Sequence, residues 1–274
     1  MYTHIILRYG EIFLKGKNQY TFLRSLKTNT EKIASQKNIN IIPVRLLMAY
    51  FENHQLLKNV FGLTSYSPAL RIEKEPSTIM EAATKFLQNE RGTFKIETKR
   101  SDKRLPHTYI EFNKIIGEKI EERTTLRFSF SEPDIILHIE INDAGAYLFT
   151  KTIPCHGGLP TGVEGCVGLI IKDKMSILAG LLFMKRGCDI YPLIINPTIS
   201  LTLLQQYSPK ELYHNIIQNV SEIDFFVQEQ HLHAIVDGAT LETLTPPLSN
   251  TVVFHPLIHY TNKEVERELN KYKE

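Results

Sequence analysis

Apolar residues along this chain fall into short runs of two different periods, and the order of those runs changes along the sequence. Ile5, Ile6 and Leu7 read as a buried strand. Asn18 is placed to cap a helix whose apolar positions, Tyr20, Phe22, Leu23, Leu26 and Ile33, recur at helical spacing. Residues 39–44 and 46–51 read as short strands, 54–61 as a short helix stopped by Gly62, and 63–72 as a further strand. The order β-α-β-β-α-β is that of a ferredoxin-like fold.

The next stretch begins with Ser77, placed to cap a helix through Ile79, Ala83, Phe86 and Leu87; Gly92 ends it ahead of the strand Thr93–Ile96. Tyr109, Phe112, Ile115, Ile116 and Ile120 sit at helical spacing and read as core rather than as base-stacking aromatics. Residues 128–130, 135–141 and 146–149 read as strands, with a turn at 142–145. Asp134 and Glu140 flank an apolar strand and read as end or edge residues, not as an acid–base pair. Beyond the breaker-rich Pro154–Gly162 the runs become continuous. Strands are expected at 167–171, 188–195, 234–236 and 252–254, with a helix at 176–185 and a polar helix capped near Thr261. Continuous apolar strands alternating with helices predict a parallel sheet covered on both faces. The expected fold class is therefore α+β followed by α/β, with segments 1–73 and 74–153, a hinge at 154–166, and a third segment at 167–274.

Composition changes this picture little. At 274 residues there is room for two or three modest domains, and a formal charge of +2 makes no global demand for a polyanionic partner. No apolar run reaches membrane-spanning length, and the N-terminus lacks a signal-peptide plan. Three cysteines make no disulfide framework, so a cytoplasmic setting is expected.

Local clustering brings in the chemistry. Lys99, Arg100, Lys103 and Arg104 put four cations into six residues straight after a strand, and Pro106 can open the helix that follows. Such a corner presents fixed cations beside a helix N-terminus, and both favour a phosphate. Lys15, Lys17 and Asn18, with Arg8, Arg24 and Lys27 around them, add polar and cationic groups near the first helix; a solvated helix face explains them equally well. Cys155, His156 and Cys166 lack the paired spacing of a zinc site, so no metal is expected. Cys166 and Cys188 read as structural thiols at strand starts.

Three motifs in order carry a family resemblance: Arg8-Tyr9-Gly10-Glu11-Ile12-x-Leu14-Lys15-Gly16-x-Asn18, then Glu97-Thr98-Lys99-Arg100-Ser101-Asp102-Lys103-Arg104-x-Pro106, then Gly157-Gly158-Leu159-Pro160-x-Gly162. Together they resemble the tRNA 4-thiouridine synthetases. That resemblance implies an N-terminal ferredoxin-like domain, a THUMP domain and a PP-loop ATP pyrophosphatase-like domain, here a truncated one. It also implies that the first two domains grip the acceptor region of tRNA. On that basis RNA contact is assigned to Lys99, Arg100, Lys103 and Arg104, with Lys15, Lys17 and Asn18 in second rank. Cations of this kind hold phosphates, and RNA duplex is recognised mainly through shape, phosphate and 2′-hydroxyl.

The third domain departs from the family pattern. Where the family has the loop Ser-Gly-Gly-x-Asp-Ser, this chain has Lys172, Asp173, Lys174, Met175 and Ser176, and only the final serine matches. A β-carbon at each glycine position crowds the approach of a phosphate, and the Asp173 carboxylate repels it. The sequence ends at Glu274, ahead of where the family's sulfur-carrying cysteine falls, and shows no rhodanese-like extension. The expectation is a tRNA-binding protein of tRNA thiolation that has lost adenylation, needs no cofactor, and works with a separate modifying enzyme or sulfur carrier. The alternative is an active, ATP- and magnesium-dependent sulfurtransferase acting at U8 through an altered loop with an external sulfur donor. A third is a protein-interaction scaffold without an RNA role. The sequence assigns no oligomeric state.

Overall fold

The computed structural model describes residues 2–100, 109–219, 221–245 and 250–273; the side chains of Arg100 and Tyr109 are also outside the description. The chain forms two compact units. One comprises Met1–Leu7, Asn40–Glu52 and Tyr66–Ile153, and the other Arg8–Ile39, Asn53–Ser65 and Pro154–Glu274.

The elements of the first half are β1 (His4–Tyr9), α1 (Gln19–Ile33), β2 (Asn40–Ile42), β3 (Arg45–Ala49), β4 (Leu63–Ile72), α2 (Pro76–Leu87), β5 (Thr93–Arg100), α3 (Tyr109–Arg123), β6 (Arg127–Phe128), β7 (Ile135–Asn142), β8 (Gly145–Phe149) and β9 (Ile153–Pro154). The sheet order β2-β3-β1-β4 is that of the ferredoxin-like arrangement, and β4 continues through β8, β7 and β5 to β6 in one sheet. Two short 3-10 helices, Glu11–Asn18 and His54–Asn59, precede α1 and β4. The first was not foreseen: Asn18 sits at the N-cap of α1 but makes no side-chain cap bond, because the chain arrives already coiled. Likewise α2 starts at Pro76, inside the first turn, with Glu75 rather than Ser77 at the cap position.

Alternation along β5, β7 and β8 sends Phe94, Ile96, Leu137, Ile139, Ile141, Ala146 and Leu148 to one face, where α2 and α3 cover them with Ile79, Leu87, Phe112, Ile116 and Ile120. Ile115 of α3, expected in this core, is exposed. The opposite face holds a second cluster of Ile6, Leu47, Ala69, Tyr147 and Phe149. It is buried because the sheet curls over it. Arg45 on β3 and Glu140 on β7 are four strand spacings apart, about 19 Å in a flat sheet. Yet Arg45 Nε donates to Glu140 Oε2 at 3.1 Å and Nη2 to Oε1 at 3.5 Å. Glu140 is thus no edge residue but a nearly buried partner in a clasp. Asp134 does end a strand as expected, accepting from the Thr93 backbone N–H and hydroxyl, which hold its carboxyl below the usual range.

The second half supplies β10 (Cys166–Ile171), α4 (Lys174–Lys185), β11 (Asp189–Ile194), α5 (Thr202–Tyr207), β12 (Asn215–Ile216), α6 (Glu222–Glu229), β13 (Ile235–Val236), β14 (Val253–Phe254) and α7 (Asn262–Asn270). All pairings are parallel, in the order β12-β11-β10-β13-β14. Val167, Leu169 and Ile171 pack on one face with Leu178, Leu181, Met184 and Val236, while Ile170, Leu193 and Ile235 pack on the other with Ile223 and Val227. The expected hinge is a strap bonded along its length. Gly157 N–H donates to Leu63 O, Leu159 N–H to Lys185 O and Gly162 N–H to Gly187 O, each within 2.9 Å. Gly158, at φ +81°, lies so close that a β-carbon would fall 2.2 Å from Lys185 O.

Candidate nucleic-acid interface and phosphate loop

In an open parallel sheet, ligands bind outside the carboxyl ends of the strands where the strand order reverses. Here that point lies between β10 and β13, and the chain leaves β10 through Lys172 and Asp173 into α4. The first amides of a helix are unsatisfied and form a ready anion site. In α4 two of them are already satisfied. Asp173 Oδ1 accepts from Met175 N–H at 2.8 Å and Ser176 N–H at 3.0 Å. The fully buried Ser176 hydroxyl accepts from the backbone of Lys172 and Asp173 and completes a capping box. The remaining loop side chains are also engaged. Lys172 Nζ lies 2.7 Å from Oδ1 of Asp237, a carboxylate just past β13 that is 4% exposed. Ala239 N–H donates to the same oxygen at 3.1 Å, and Asn196 Nδ2 donates to Lys172 O at 3.2 Å. Lys174 pairs with Glu266 on α7. Gly238 then lies on the first turn of α4, where a β-carbon would fall 2.8 Å from Ser176 N.

At the other candidate surface the strand is longer than expected. β5 runs to Arg100, so the basic stretch is not a loop from Glu97 onward; Lys99 and Arg100 are in ladder register with Glu140 and Ile141. Charges hid the alternation: Lys95, Glu97 and Lys99 share the face opposite Phe94 and Ile96, and Glu97 pairs with Lys95 at 3.2 Å and His138 at 3.5 Å. Lys99 is exposed. The Arg100 side chain, Lys103, Arg104 and Pro106 lie outside the described residues. Lys15 is held by the fold, with its Nζ 3.0 Å from Glu164 and 4.6 Å above the Phe22 ring, whereas Lys17 and Asn18 are exposed.

The thiols are poor nucleophiles. Burial pushes Cys155 up to about 12, and raises Cys166 and Cys188 as well, so all three are protonated at neutral pH. Among the described residues no group of three potential ligands is placed to hold a metal ion, and no helix is long and apolar enough to cross a membrane.

Comparison with known proteins matches residues 4–67 to the ThiI ferredoxin-like domain and residues 77–151 to the THUMP domain. The chain is 36% identical over 189 residues to a probable tRNA sulfurtransferase of Mycoplasmopsis synoviae, covering 68% of this chain and 50% of the relative. To that of a Geobacillus species it is 38% identical over 202 residues, 69% of the chain and 50% of the relative. The chain is related to the tRNA sulfurtransferase family through its ThiI ferredoxin-like and THUMP domains. It spans about half the length of the curated relatives of this family that it matches. PH1313 from Pyrococcus horikoshii superposes with a TM-score of 0.86 at 24% identity, over 99% of this chain and 100% of that one. A 4-thiouridine synthetase solved with RNA and bound ATP superposes at 0.80 and 22% identity, over 99% and 85%. At these identities the two structures establish the family's fold for this chain, from the ferredoxin-like domain through the parallel sheet.

Proposed function

We propose that this chain binds tRNA through its ferredoxin-like and THUMP domains, in the service of tRNA thiolation, and that it does not itself adenylate the tRNA. RNA contact falls on Lys99, Arg100, Lys103 and Arg104, with Lys17 and Asn18 beside α1 in support. Lys15, already paired, contributes to the fold more than to a phosphate. The observation that carries the second half is the Asp173 carboxylate seated on the amides of α4. A triphosphate does not fit there, because those donors are taken and an anion already occupies the position. Chemistry on the tRNA then belongs to a separate modifying enzyme or sulfur carrier, and the three protonated thiols fit a reducing cytoplasm.

A second reading, an active sulfurtransferase that uses ATP and magnesium, is favoured by the overlap of nearly the whole chain with a synthetase solved with RNA and ATP. ATP–pyrophosphate exchange in the presence of tRNA separates the two. No exchange above background is expected; turnover lost on Lys172→Ala or Ser176→Ala overturns the first reading. Replacing Lys99, Arg100, Lys103 and Arg104 by Ala should weaken tRNA binding and flatten a log–log salt slope by about 3.5, since each phosphate contact contributes just under one. Unchanged affinity would favour the scaffold reading.

A further inference from the structure

One face of α1 adjoins the strap. Tyr20, Arg24 and Thr28 form a stripe at four-residue spacing, Thr21 and Ser25 flank it, and with Thr161 they line a groove of about 420 Å³. Its walls are fixed. The nearly buried Asn29 donates from Nδ2 to Thr161 O at 2.8 Å, and Thr161 Oγ1 donates to Met184 O at 3.3 Å. No carboxylate lines the groove, and Arg24 is its charge.

The hydroxyls here also differ from those that bond back to their own helix. Thr30, Thr84 and Thr124 each donate to the carbonyl four residues back, at 2.7 to 2.9 Å. Among the described residues, the side chains of Thr21, Arg24, Ser25 and Thr28 have no hydrogen-bond or ion-pair partner. A helix face of unengaged hydroxyls around one guanidinium suits a ligand that alternates anionic groups with hydroxyls. A phosphate matches the planar fork of Arg, and a ribose 2′-hydroxyl, both donor and acceptor, matches a Ser or Thr hydroxyl.

We propose that this groove seats the ribose–phosphate backbone of an RNA strand, with Arg24 on a phosphate and the hydroxyls of Thr21, Ser25 and Thr28 on neighbouring 2′-hydroxyls. The inference rests on the RNA-binding reading above and adds to it a site that distinguishes RNA from DNA.

The test is the affinity of the full chain for a hairpin RNA and for a DNA hairpin of the same sequence, by fluorescence anisotropy. Arg24→Gln should weaken RNA binding about five- to tenfold and lower the salt slope by about one. The triple variant Thr21→Val, Ser25→Ala, Thr28→Val should reduce the RNA-over-DNA preference by about fivefold while leaving the DNA affinity within about twofold. If both variants keep wild-type RNA affinity and preference while Lys99→Ala still weakens RNA binding, the RNA runs elsewhere and this inference fails alone. A wild-type chain without affinity for the RNA hairpin overturns both this inference and the reading it rests on.

Discussion

Lys172 is the residue at which the two readings of the third domain make opposite predictions. If its ammonium serves to hold a nucleotide's phosphate, its loss in the absence of nucleotide should scarcely affect stability, since exposed side chains away from special features change it by about 0.5 kcal/mol or less. The structure assigns it other work. Its Nζ lies 2.7 Å from Asp237 Oδ1, and the Asp237 side chain is 4% exposed against 23% for Lys172. Removing one member of a buried pair costs about 3–5 kcal/mol, because the other charge stays buried. Water reaches the lysine end here, and Ala239 N–H still donates to the carboxylate, so the expected cost for Lys172→Ala is nearer 2–3 kcal/mol. Removing both partners should be milder than the sum, with a coupling of about 1–2 kcal/mol in the Lys172→Ala, Asp237→Ala cycle. Urea unfolding of the full chain without nucleotide measures all three variants. A Lys172→Ala midpoint equal to wild type, with no coupling to Asp237, refutes the assignment and returns Lys172 to the phosphate.

Two further outcomes follow from the same geometry. Arg45→Ala removes the guanidinium from a Glu140 side chain that is 10% exposed and opens the clasp across the curled sheet, so a loss of about 2–4 kcal/mol is expected by calorimetry. A loss below about 0.5 kcal/mol, the level of an ordinary surface pair, would show that the clasp is incidental. The second concerns His156, which stacks on Tyr272, donates from Nε2 at 3.0 Å to the Tyr207 hydroxyl, whose own proton goes to Tyr272 O, and is lowered from 6.5 to about 4 by burial and then by Lys185 and Lys58. Between those two values the unfolded chain binds a proton that the folded chain does not. Stability therefore falls as pH drops from about 6.5 and the penalty is complete near pH 4, reaching about 3 kcal/mol at most. In His156→Gln this part of the acid sensitivity should vanish; identical pH profiles for the two proteins would contradict it.

How much of this could be read from sequence depended on whether one segment carried its own signal. β10 was legible because a continuous apolar run needs no partner to be recognised, and Thr261 announced the cap of α7. β5 was cut short because its open face carries Lys95, Glu97 and Lys99, which alternate correctly but look like a loop when counted as charges. The Arg45–Glu140 clasp had no signal at all: it joins residues 95 apart through the curl of a sheet, and curl is not written in any one strand. The phosphate loop lies between these cases. Two missing glycines and an aspartate were visible at once, and they implied repulsion of an incoming phosphate. What they could not imply was the direction of the Asp173 side chain. Its φ of −156° and ψ of −177° turn the carboxylate back onto the helix it precedes, so the group that repels a phosphate also takes the phosphate's hydrogen bonds. The substitution therefore has a structural use of its own. Capping by a side-chain carboxylate stabilises a helix by roughly 0.5–2 kcal/mol without any ligand, so α4 needs no bound anion to hold its first turn. A loop that had merely decayed would be expected to leave those amides to water; here a side-chain carboxylate is seated on two of them.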